Sequence, residues 1–255
     1  LGLVGDFDRD EVLRQVREAF GDWPRGSAWK PAEVPYRRAP SPGVFYVEKN
    51  DMTQSYVIMG HLGVLRNDPD YHALEVLNQI FSGSSSSRLF NSVRTRKGLA
   101  YAVYGGVQSE WDHPGQAMLF LTTKTQTTGA GIEALLEEAR NLKTQPPTDE
   151  EVEKARQGLL NSFIFQADSA RKVLRQQITY EAYGYPLDRL SRYLEGIKTV
   201  TAEQVRQAAR HLRPEEFAIL VIGPAEGRDK PLTAYGPVTP VDISLPRPEP
   251  KDASR

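Results

Sequence analysis

Ser82-Gly-Ser-Ser-Ser-Ser-Arg-Leu-Phe-Asn-Ser-Val-Arg-Thr-Arg-Lys-Gly-Leu-Ala-Tyr-Ala-Val-Tyr-Gly-Gly-Val107 is the stretch on which the reading of this chain turns. A polar run from Ser82 to Ser87 leads into a short amphipathic helix. Leu89, Phe90 and Val93 share one face of it, and Arg88, Arg94, Arg96 and Lys97 crowd the rest. Gly98 is the predicted stop, because a cation in the last turn complements the helix dipole and glycine accepts the left-handed cap conformation. Tyr101-Ala-Val-Tyr104 then reads as the start of a strand. Arg94 and Tyr101 stand on opposite sides of that turn, so their separation of seven residues can collapse to side-chain contact.

The bulk numbers exclude several classes. At 255 residues the chain can bury a full core, and its 32 basic and 33 acidic residues leave a formal charge of −1. That balance argues against a nucleic-acid partner or an anionic membrane surface, and no apolar run approaches the ~18 residues of a membrane helix. Cysteine is absent, which removes disulfides, thiol nucleophiles and thiolate metal sites and fits either the cytoplasm or an export compartment such as the periplasm. The chain starts at Leu1, directly in strand-like sequence, and is read as a piece of a longer protein.

Four regions are expected. Residues 1–23 hold a strand end, Leu1-Gly-Leu-Val-Gly5, and a helix from Arg9 to Phe20 capped by Asp6 or Asp8. Residues 24–43 carry Pro24, Pro31, Pro35, Pro40 and Pro42 and read as a linker. Residues 44–224 form the main domain. Neighbouring strands are expected at 43–47 and 54–60, then a helix opened by Asp68-Pro69, strands at 101–108 and 117–123, and a helix from about 129 to 142. Thr148-x-x-Glu151 and Thr201-x-x-Gln204 are capping-box patterns opening further helices, and Phe217-Ala-Ile-Leu-Val-Ile-Gly223 is a buried-type strand. Residues 225–255 read as an extended tail. Strand-like sequence both opens the chain and closes its main domain, as in a duplicated protein cut late in its first copy.

The candidate chemistry is sparse. His72-Ala-Leu-Glu75-Val76 approaches the zinc motif H-x-x-E-H, but Val76 stands where the second histidine would be, and catalytic zinc takes three protein ligands. His61, His113 and His211 show no ligand spacing, so this chain is expected to hold no metal of its own. The Ser82–Ser87 run matches no phosphate-loop or nucleophile-elbow pattern and reads as a mobile connection or, through Ser86, Ser87 and Arg88, a substrate-contacting loop. Arg94 and Tyr101 can either donate hydrogen bonds to a carbonyl and its oxyanion or be a solvated cation and a packed ring.

Three segments together add a resemblance. Asp68-Pro-Asp-Tyr-His-Ala-Leu-Glu-Val-Leu-Asn-Gln-Ile-Phe-Ser-Gly83, Ser87-Arg-Leu-Phe90 and Val93-Arg-Thr-Arg-Lys-Gly-Leu-Ala-Tyr101 resemble the C-terminal, non-zinc half of pitrilysin/insulysin-type metallopeptidases. This family includes the mitochondrial processing peptidase and the core subunits of the bc1 complex. The resemblance covers residues 44–224, and residues 1–23 look like the closing strand and helix of a preceding homologous half. It implies an α+β fold, with a mainly antiparallel sheet of about six strands and helices packed on one face. It also implies a noncatalytic, substrate-binding half, in which Arg94 and Tyr101 act on a peptide whose zinc site belongs to a homologous partner domain. His72, Glu75 and Val76 fall on the degenerate motif. A structural or assembly subunit of the same fold, or a plain peptide-binding module, is the alternative.

Overall fold

The computed structural model describes residues 1–24, 26–27 and 42–244, so most of the Pro-rich linker read over 24–43 lies outside the described residues. In chain order the elements are α1 (Arg9–Phe20), β1 (Gly43–Glu48), β2 (Gln54–Leu62), β3 (Val64–Leu65), α2 (Tyr71–Ser82), a π-turn (Phe90–Arg96), β4 (Ala102–Val107), β5 (Ser109–Glu110) and β6 (Gln116–Lys124). There follow α3 (Thr128–Thr144), α4 (Asp149–Phe163), α5 (Ala170–Ala182), α6 (Arg189–Thr199), α7 (Ala202–Ala208), β7 (Ala218–Gly223) and β8 (Val238–Pro240). They fall into two compact units, one of residues 1–37 and 161–192 and the other of residues 38–160 and 193–255.

The first unit holds α1 and α5. Asp8 caps α1 by accepting the Glu11 N–H at 2.8 Å, and Ser169 caps α5. The strand expected at Leu1–Gly5 is not formed. A strand needs a ladder to join, and here the segment lies on α5 instead: a methyl group on Gly2 would stand 2.7 Å from Ile178 and 2.8 Å from Leu174. The 161–192 segment groups with this unit, although the sequence places it inside the 44–224 domain.

The second unit is a six-stranded sheet of order β4-β6-β2-β7-β1-β8, mainly antiparallel, with a small parallel pair β3–β5 beside it. The α+β class and the strand count match the expectation. One face of the sheet is buried: Val57 and Met59 of β2, Leu119 and Leu121 of β6, and Val221 of β7 join Leu74, Leu77 and Phe81 of α2 and Ile132 and Leu135 of α3 in one core. Period-two alternation on the strands and period-3.6 spacing on the helices put these residues together. At 4 % exposure or less, each contributes about 1.5–3 kcal/mol of burial.

Two expectations change in the sheet. The strands β1 and β2 are not neighbours: β7 lies between them, antiparallel to β2 and parallel to β1. An apolar run such as Phe217–Gly223 covers both faces and belongs in the sheet interior, which proximity in sequence cannot reveal. The tail reading is also corrected. Leu232 is buried in the core, and Val238–Pro240 pairs with β1 as the sixth strand, too short to show a period. Pro240 limits ladder bonding at that outer edge. At the opposite edge, α2 satisfies β4. Asn78 accepts the Val107 N–H and donates to its carbonyl, both at 2.8 Å, and Ser82 does the same for Gly105 at 3.1 and 2.5 Å.

Candidate functional site

The predicted helix after the serine run is a π-turn, with Lys97 N–H bonded to Ser92 C=O at 3.1 Å. Over so short a segment both winding patterns place Leu89 and Val93 together, and both side chains are buried. The wider turn is a form concentrated at functional sites. Gly98 then takes φ +63°, as the left-handed stop requires, and a methyl group on its Cα would meet only open space. Glycine is therefore needed there for backbone conformation alone. Leu99 N–H closes the cap on Val93 C=O at 3.0 Å, and Tyr101 N–H joins the sheet at Thr122 C=O at 2.9 Å.

This local geometry brings Arg94 and Tyr101 together. The guanidinium carbon of Arg94 stands 5.9 Å from the Tyr101 ring centroid and 4.9 Å from that of Phe90, so two aromatic faces hold the cation. Arg94 is exposed and Tyr101 is 74 % exposed. Their donors face solvent rather than the core.

The loop residues are placed differently. Arg88 donates to Glu151 at 2.7 and 2.6 Å and to the Gln145 carbonyl at 2.7 Å. Its bond holds the Glu151 carboxyl below the usual range, and Glu151 closes the predicted capping box with Thr148. Ser87 is 4 % exposed, and its hydroxyl finds no partner among the described residues. Of the expected substrate contacts, Arg88 thus braces the loop internally and Ser87 is enclosed within it. Ser86 is exposed, and its hydroxyl lies 3.1 Å from Lys154 Nζ.

The degenerate motif is packed into the fold, with His72 and Glu75 half-buried. Val76 is fully buried in the core and offers no donor atom. The His72 ring lies between Tyr71 and Tyr193, at centroid distances of 5.1 and 6.1 Å, and against Gly196 of α6. Burial, with Glu75 adding to it, pushes the Tyr193 phenol up. His72, Glu75 and Val76 do not make a zinc donor set.

Elsewhere Asp68, Asp70 and His211 place ligand-type atoms within 4.8 Å of one another, a grouping invisible in the sequence. Arg210 contacts Asp70 at 2.6 Å and His211 Nε2 lies 2.8 Å from the same carboxylate. With the Arg210 guanidinium already on Asp70, this cluster pins the start of α2 to the residues following α7. Among the described residues no helix is long and apolar enough to cross a membrane.

Sequence reading missed an aromatic row on the sheet face opposite the buried core. Tyr104 pairs with Phe120, Phe120 with Ile58, Ile58 with Leu220, and Leu220 with Phe45. All five are exposed or half-buried. The Tyr104 and Phe120 rings stack at 4.6 Å, and Tyr56 stands 6.3 Å from Phe120. The signal was present as apolar residues on both phases of β2 and β6, where a sheet with one wet face would alternate with polar ones.

The fold is an α+β domain in which Arg94 and Tyr101 lie exposed beside one another and Val76 stands in the place of a second motif histidine. The chain belongs to the peptidase M16 inactive-domain family, whose model matches residues 1–159. It is 26 % identical over 220 residues to the uncharacterized zinc protease YmxG of Bacillus subtilis, covering 85 % of this chain and 52 % of that protein. It is 24 % identical over 223 residues to the non-peptidase homolog YmxG of Helicobacter pylori, covering 86 % and 50 %. The crystal structure of a peptidase M16 inactive domain from Pseudomonas fluorescens superposes with a TM-score of 0.75 at 26 % identity, over 88 % of this chain and 53 % of that one. The chain spans about half the length of the curated relatives it matches.

Proposed function

We propose that this chain is the noncatalytic, substrate-binding half of a zinc metalloendopeptidase that cleaves peptides or unfolded polypeptides. The observation that carries the reading is the exposed Arg94–Tyr101 pair, held across the Gly98 turn in a chain of the M16 inactive-domain family. A fixed guanidinium and a phenol aimed at one region supply hydrogen bonds to a peptide carbonyl, and those bonds strengthen as negative charge develops on its oxygen. The hydrolytic zinc belongs to a homologous partner domain, because Val76 stands where the motif's second histidine would be and leaves this chain short of the three ligands that catalytic zinc takes. The aromatic row formed by Tyr104, Phe120 and Tyr56 takes apolar side chains of the same substrate.

The test is to combine the chain with a zinc-bearing homologous half and assay a generic unfolded peptide. Metal-dependent cleavage that needs both halves is the expected result. Equal cleavage by the zinc-bearing half alone would overturn the proposal. A second reading, a structural subunit of the same fold without proteolysis, draws support from the H. pylori relative named a non-peptidase homolog. Stable association of the halves with no cleavage of any peptide is its signature.

A further inference from the structure

A groove of about 850 Å³ runs between the π-turn, α3 and the start of α4, with Ser86, Asn91, Arg96, Asn141 and Gln145 among its walls. Arg94 and Tyr101 do not line it, so a ligand of this groove is independent of the proposed peptidase role. At its base is Glu138, 7 % exposed. Ser92 donates its hydroxyl to Oε1 at 2.6 Å, and Asn141 Nδ2 stands 3.5 Å from the same oxygen.

The second oxygen is different. Among the described residues Oε2 accepts no hydrogen bond, yet it is not sealed from solvent as the unpartnered atoms of Ser87 and Gln176 are, and Glu138 forms part of the groove wall. The other charges of the groove are largely answered: Arg88 pairs with Glu151 and Lys97 with Glu137. This leaves one nearly buried anion with an open oxygen, and Arg96 on the exposed rim. The open oxygen keeps its capacity to accept, and a cationic donor that reaches Oε2 makes a charge-assisted hydrogen bond there. A metal ion would need further donors, and the metal-type cluster among the described residues lies elsewhere.

We infer that this groove binds the guanidinium or ammonium group of an arginine or lysine side chain in a polypeptide, seated on Glu138 Oε2. The Asn91 amide supports the seat. Its Nδ2 donates to the Ser86 carbonyl at 2.9 Å, which leaves Oδ1 as an acceptor at the groove wall. Arg96 repels a second positive charge, so the fitting ligand carries an isolated basic residue rather than a basic run.

The test titrates the isotope-labelled full chain with the capped tripeptide acetyl-Ala-Arg-Ala-amide and with its neutral isostere containing citrulline, following amide shifts by NMR. The expected result is a saturable shift of Ser92, Glu138 and Asn141 amides with the arginine peptide, at least tenfold weaker with the citrulline peptide. Glu138→Gln keeps an acceptor for Ser92 and is expected to reduce the arginine affinity at least tenfold without changing Tm. Equal binding of the two peptides, or no saturable shift at these residues, overturns the inference. Should Glu138→Gln lower Tm, the arginine–citrulline comparison in the unmodified chain still decides it.

Discussion

Gly196 of α6 lies directly against the imidazole of His72 on α2: a methyl group on its Cα would meet ring atoms at 2.5–2.6 Å. The contact fills the space beside the degenerate zinc motif, and it makes a small residue necessary at 196. In an ordinary helix glycine to alanine gains about 1 kcal/mol. Here the ring is held by Tyr71 and Tyr193 and cannot swing away freely, and overpacking of this kind costs about 1–3 kcal/mol. Gly196→Ala is therefore expected to destabilise the fold, and Gly196→Ala with His72→Ala to recover part of the loss. Urea unfolding of the parent and the two variants measures this, and a stabilised Gly196→Ala would show that the packing is loose.

Kinetics address the Arg94–Tyr101 assignment. In the two-half enzyme, Arg94→Ala or Tyr101→Phe is expected to lower kcat by ~10²–10³ if each donates chiefly to the developing oxyanion. Both side chains are solvent-facing, so Tm should hardly change. Turnover equal to the parent in both variants would remove the pair from the site.

The aromatic row predicts a different kinetic signature. Tyr104→Ser and Phe120→Ser remove stacked, partly open rings, and each is expected to weaken binding of apolar peptides by ~5–15-fold, from a stacking contribution of about 1–1.5 kcal/mol. The loss should fall mainly on KM and be smaller for polar peptides. A change confined to kcat would argue that these rings position the Arg–Tyr pair rather than touch substrate.

Acid sensitivity is expected from His61. Burial, reinforced by Arg213 and opposed by the Leu62 carbonyl, holds its pKa below the ordinary histidine range. In the neutral ring Nδ1–H donates to Leu62 C=O at 2.7 Å and Nε2 accepts the Arg213 N–H at 2.9 Å, a bond that protonation would break. Between the lowered folded value and an unfolded value of about 6.5, the unfolded chain binds the extra proton, so stability rises with pH across that window and is lost as pH falls through it. Tm measured between pH 7.5 and 5 should fall less steeply in His61→Gln than in the parent. Parallel slopes would assign the acid loss to other groups.

Much of this architecture was readable because local chemistry and global packing agree. The Thr148–Glu151 and Thr201–Gln204 boxes form as their spacing predicts, and the Gly98 turn joins Arg94 to Tyr101. What escaped depends on partners remote in the chain. Asp68 caps no helix but accepts the Asp70 N–H, and α2 starts at Tyr71. Insertion of β7 between β1 and β2 and recruitment of Val238–Pro240 are pairing events with no local signature. At the site, Arg88 shared its charge and neighbourhood with Arg94, and only the position of Glu151 separates a structural cation from an exposed one.

The hold of Asn78 and Ser82 on β4 has a consequence for handling polypeptides. A domain proposed to meet unfolded chains runs the hazard of becoming a template for them, since a bare strand edge recruits any extended segment regardless of its side chains. With the outer amides and carbonyls of Gly105 and Val107 answered from within the fold, that stretch offers a visiting chain no ladder to extend. Along that stretch the proposed grip on a substrate rests on side-chain surfaces, which release a chain as readily as they take it, rather than on a strand the domain could not shed.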